Sequence, residues 1–80
     1  MNADALAKQL GLHGKDEYFE HIMESIRCGQ SFQARELYED MSSDDAEDFF
    51  TWAADYYYYD ADTERERALA IDNLKSILIN

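Results

Sequence analysis

The 80-residue chain predicts an all-α fold, a compact single-domain bundle of four to five short helices. Three observations carry that expectation. Proline is absent and only three glycines occur, so few positions interrupt a helix. Apolar residues recur three and four apart, and no stretch alternates apolar with polar as a half-buried strand would. The segments between the periodic stretches are short and rich in the Gly, Ser and Asp that start and stop helices. At 46% apolar and 14% aromatic, the chain has material for one core, so residues 1–80 read as one domain.

The first helix is expected near residues 3–11, with Asn2 or Asp4 as cap, Ala3, Leu6, Ala7 and Leu10 on one face, and Gly11 as its end. The second spans about 16–28, where Tyr18, Phe19, Ile22, Met23 and Ile26 form a stripe; Asp16 and Glu17 suit its first turn, Arg27 its last, and Gly29 stops it. A third is expected over 32–41, capped by Ser31, with Phe32, Leu37 and Met41 turned inward. Ser42 and Ser43 interrupt the pattern. The fourth helix starts at Asp44 or just before, with Asp44 and Glu47 spaced as a capping box. Thr63 and Glu66 form a clearer box for the fifth, which runs to about Ile79 with Ala70, Ile71, Leu74, Ile77 and Leu78 on one face. The short Asp60-Ala61-Asp62 connection predicts antiparallel packing of the last two helices.

The net charge is −11, and it is concentrated. Residues 1–35 carry five acids against four bases, and residues 65–80 two against three. The acidic block 36–64 holds Glu36, Glu39, Asp40, Asp44, Asp45, Glu47, Asp48, Asp55, Asp60, Asp62 and Glu64, with no Lys or Arg. Eight of the eleven aromatics lie there too: Tyr38, Phe49, Phe50, Trp52 and the run Tyr56, Tyr57, Tyr58, Tyr59. Acidic disordered tails lack aromatics, so this composition points to a folded, strongly negative surface. Such a surface is repelled by anionic lipid and by phosphate, which argues against direct contact with membrane or nucleic acid and for a partner with a basic surface. Cys28 stands alone, so no internal disulfide forms and a reducing, cytoplasmic compartment is expected. The first residues lack the basic and apolar regions of a secretory leader, and no apolar run approaches the ~18 residues that span a bilayer.

At about 100° per residue, Ala46, Phe49, Phe50, Ala53 and Tyr57 share the inner side of the fourth helix. Asp44, Asp48 and Asp55 share the outer side, with Trp52 and Tyr59 beside them and Tyr58 on the other edge. The candidate partner-binding residues are therefore Glu36, Glu39, Asp40, Asp44, Asp45, Asp48, Trp52, Asp55, Tyr58, Tyr59, Asp60 and Asp62. Each has a plainer reading: the acids as a solvated face, and Trp52 as a core ring covered by the third helix or the N-terminal segment. Against the first stands self-repulsion. Like charges four apart, such as Asp44 with Asp48 and Glu36 with Asp40, cost a few tenths of a kcal/mol per pair.

Catalytic and cofactor chemistry finds no support. No carboxylate pair sits in contrasting environments that would separate an acid from a base. His13, His21 and Cys28 match no zinc spacing. Asp60, Asp62, Glu64 and Glu66 alternate as in a calcium loop, but the loop glycine is missing and the twelfth position is Ile71. The chain reads as a non-enzyme without metal or cofactor, acting as a monomer or homodimer.

In its size, its acidic block at 36–64, its tyrosines and its all-helical pattern, the chain resembles small acidic proteins of phages and mobile elements. It is similar in kind to anti-restriction DNA mimics and to some anti-CRISPR proteins. That resemblance implies an inhibitor of a host nuclease or CRISPR effector, working in the host cytoplasm and competing with DNA for a basic groove. Carboxylates three and four apart on a helix lie about 5–6 Å apart at their bases and can imitate a phosphate track. The alternative is a protein-interaction module or small regulator docking through an aromatic patch on the fourth helix, with the acids at its rim.

Overall fold

The computed structural model describes residues 2–58 and 62–79. Five α-helices and one π turn succeed one another: α1 (Ala3–Gln9), α2 (Lys15–Arg27), α3 (Ser31–Glu39), α4 (Ser43–Trp52), the π turn (Ala53–Tyr57) and α5 (Glu64–Ile79). No strand occurs among the described residues, and the fold is all-α. The radius of gyration is 12.1 Å, against about 11.6 Å expected for a globule of this length.

Caps set most helix boundaries; α3 is the exception, since Ser31, expected as its cap, is its first residue and Gln30 before it makes no side-chain cap hydrogen bond. The Asn2 side chain accepts the Ala5 N–H at 2.8 Å. Gly11 and Gly29 adopt φ of 79° and 77°, a region that only glycine enters freely. Each closes a helix in the same way: Leu12 N–H reaches Ala7 C=O and Gln30 N–H reaches Ser25 C=O, both at 2.8 Å. This stop ends α1 at Gln9, short of the expected 11, and leaves Leu10 50% exposed while Leu12 packs against the core. Gly14 has no side chain to cap α2, so two carboxylates substitute: Asp4 accepts the Lys15 N–H at 2.8 Å, and Glu17 accepts the His13 N–H. Ser42, rather than Asp44, caps α4 by accepting the Asp45 N–H at 3.3 Å. Thr63 accepts the Glu66 N–H at 3.1 Å, and the Glu66 carboxylate accepts the Asp62 N–H at 3.2 Å.

The core joins Ala3 and Ala7 of α1, Tyr18, Phe19, Ile22 and Met23 of α2, Ala34 of α3, Met41, Phe49 of α4, Ala53, and Leu74 and Leu78 of α5. Phe49 is its centre, fully buried, with ring centroids of Phe19 at 5.4 Å, Phe50 at 5.3 Å and Tyr38 at 6.4 Å. Edge-to-face pairs of this kind add to the stabilisation from burial. Phe32 departs from expectation: it is 74% exposed. The inward stripe of α3 is Ala34, Leu37, Tyr38 and, just beyond the helix, Met41. Phe32 precedes Ala34 by two residues, about 200° around the helix, and so points away from that stripe.

Helix α5 packs against α3 and the π turn. Arg67 Nε donates to Tyr58 C=O at 3.4 Å, and Lys75 Nζ lies 5.3 Å from the Phe50 ring centre. Numbers fall along one element as they rise along the other, so α5 runs antiparallel to the α4–π rod. At its C-terminal end the Arg35 guanidinium clamps Ile77 C=O at 3.1 and 3.2 Å, satisfying a carbonyl of the last turn.

Candidate functional site

The π turn decides where the tyrosine run points. Tyr58 N–H donates to Ala53 C=O at 2.9 Å, an i to i+5 bond. Each residue of such a turn rotates roughly 20° less than in an α-helix, so by Tyr58 the lag is about 100°. Tyr58, expected at the edge of the acidic face, is instead half-buried against the core, its ring 5.1 Å from that of Tyr57. Burial first, and the Tyr57 phenol second, push the Tyr58 hydroxyl above the ordinary tyrosine range. The same lag turns Tyr56 outward, 71% exposed.

Trp52 is half-buried. Its ring lies 5.6 Å from Phe19, 6.1 Å from Phe49 and 6.3 Å from Tyr57. It covers the core beside Phe19 of α2, and leaves only part of its surface for a partner.

The acids divide into two kinds. Asp45 Oδ2 accepts the Ala3 N–H at 2.7 Å, tying the start of α1 to the first turn of α4. Asp48 pairs with Lys15 at 3.2 Å, and this carboxylate holds the Lys15 ammonium above its ordinary range, with Asp45 and Asp4 adding to the effect. Residues 15 and 48 are far apart in sequence, so the block does have a cation beside it. By contrast, Glu36, Glu39, Asp40, Asp44, Glu47 and Asp55 are exposed. The two ion pairs among the described residues are Lys15–Asp48 and Arg27–Glu24, so none of these six has a cationic partner. Asp62 is exposed as well; Tyr59 and Asp60 lie outside the described residues.

The fold engages most of the cations in contacts of their own. Of the seven basic side chains, Arg35 and Arg67 bind carbonyls. Lys75 sits over Phe50, Arg27 lies 5.7 Å from the Tyr57 ring centre, and Lys15 holds Asp48. These cations serve internal contacts, which sequence position alone did not reveal.

The described residues include no group of three or more His, Cys, Asp and Glu placed to hold a metal, and no helix long and apolar enough to cross a membrane. The result is a small all-α domain with unpaired carboxylates on the outer sides of α3 and of the α4–π rod. No family model, curated protein or solved structure matches the chain.

Proposed function

We propose that this protein is an acidic inhibitor that occupies the basic nucleic-acid-binding surface of another protein, a nuclease or CRISPR effector, in place of nucleic acid. The observation that carries the reading is the set of six exposed carboxylates on consecutive elements, none ion-paired among the described residues: Glu36, Glu39 and Asp40, then Asp44, Glu47 and Asp55. A fold that retains this repulsion, with five of its seven cations engaged in contacts, sustains a strong negative field. Such a field speeds association with a basic partner and makes it salt-sensitive. Capture from bacterial lysate across a salt series, with and without competing DNA, tests it. The expected result is a nucleic-acid-binding protein that both DNA and salt release, and whose capture is lost when Asp44, Glu47 and Asp55 become amides. A captured partner indifferent to DNA and to these substitutions would refute the reading.

A second reading, a docking module held by aromatics, is favoured by the exposure of Tyr56 and Phe32 beside the acids. Under it, Tyr56→Ala or Phe32→Ala weakens the partner complex more than amide substitution of the carboxylates does.

A further inference from the structure

An open groove of about 270 Å³ runs between the first turn of α2 and the outer side of the α4–π rod. Its walls include Asp16 from α2, Asp48 and Asp55 from the rod, and the rings of Trp52 and Tyr56. Two features make it more than a patch of acids. Trp52 is held in place from behind by Phe19 and Phe49, and the π turn holds Tyr56 out beside it. π turns are rare and recur at functional sites. The groove also already receives a cation of its own chain: Lys15 reaches Asp48 at 3.2 Å. That leaves Asp16 and Asp55, both exposed, without an ion-pair partner among the described residues.

We propose that this groove receives an arginine side chain presented by the surface of a protein partner. Aromatic rings and carboxylates in one groove match a guanidinium, which is planar, stacks on aromatics and offers a fork of donors to two acceptors. A lysine ammonium is compact and strongly hydrated and draws less from the rings. A metal ion fits poorly, because the rings offer it no ligand atoms. The inference rests on the reading of a basic protein partner, and it names the side chain by which that partner is recognised.

Trp52 is the chain's single tryptophan, so its fluorescence and its one indole N–H resonance report on the groove directly. The probes are acetyl-Gly-Arg-Gly-amide and acetyl-Gly-Lys-Gly-amide, titrated into the full chain. The arginine peptide is expected to give a saturable Trp52 response about threefold tighter than the lysine peptide. Asp55→Asn is expected to weaken it about fivefold. Tyr56→Ala should erase the preference for arginine, whereas Glu36→Gln with Glu39→Gln on α3 should leave the response unchanged. Both groove positions are exposed, and a wild-type circular dichroism spectrum confirms that each variant is folded. Equal response to the two peptides, no saturable response, or equal loss from the α3 substitutions would overturn the groove. The outcome is separable from that of the capture experiment: a partner that DNA does not displace removes mimicry and leaves the arginine preference standing.

Discussion

Asp45 and Glu47 sit two residues apart in the same acidic helix, and removing either changes the net charge by one, yet the structure predicts opposite consequences. Asp45→Ala deletes the acceptor of the Ala3 N–H, a 2.7 Å bond at a buried residue. Losing a hydrogen bond to a charged group costs about 1.5–3 kcal/mol. Removing a carboxylate from the first turn of α4 adds about 0.3–1 kcal/mol, partly offset by the higher helix propensity of alanine, up to about 0.7 kcal/mol. The net loss is about 2 kcal/mol, a large part of the roughly 4–12 kcal/mol available to a domain of this size. At about 4–8 °C per kcal/mol, the melting temperature falls by about 8–16 °C. Glu47→Gln touches no partner and relieves an i,i+3 repulsion with Asp44 worth a few tenths of a kcal/mol, so its melting temperature stays within about 2 °C of wild type or rises slightly. Thermal melts followed by far-UV circular dichroism separate the two. Equal melting temperatures for both variants would refute the division of the block into tethering and free carboxylates.

Three further outcomes are expected. Phe49→Ala empties the centre of the aromatic cluster and should cost about 3–5 kcal/mol, read as a shift of the urea midpoint; a loss under about 1 kcal/mol would contradict the placement of Phe49. Burial, with the charge of Asp40 second, pushes the Tyr18 phenol from 10.0 up to about 12, so in that window the folded state keeps a proton the unfolded chain has released. The associated stability, of order 2 kcal/mol, is whole below pH 10 and is lost as pH rises toward 12. Denaturant titrations of wild type and Tyr18→Phe across this window should show a shallower decline in the variant, and identical slopes would refute the assignment. Finally, sodium chloride should raise the melting temperature, because the Debye length shrinks from about 10 Å at 0.1 M to about 3 Å at 1 M and screens the unpaired carboxylates. A melting temperature that falls with salt would mean that attractive pairs outweigh the repulsion.

Local chemistry made most of the helical framework legible. The left-handed positions of Gly11 and Gly29, the Asn2 and Thr63 caps, and the inward stripes of α2 and α5 follow from propensities and periodicity acting over a few residues. The inner face of α4, with Phe49 and Ala53 buried, was legible for the same reason. Phe32 faces solvent because Ala34 and Met41 set the register of α3, and hydrophobicity alone carries no register. The acidic block was visible as a block, but not its internal division. Asp45 acquires a partner 42 residues away and Asp48 one 33 residues away, and contacts at such separations leave no trace in local patterning.

The sequence by itself determined an all-α domain, its caps and a concentrated negative charge, because capping, helical period and net charge are properties of neighbouring residues. Only the tertiary structure decided which carboxylates remain free, where five of the cations are held, and that Tyr56 faces out while Tyr58 turns in. The last of these depends on one extra residue in one turn, which rotates Tyr56 outward and Tyr58 inward, and the others on helices meeting across the core.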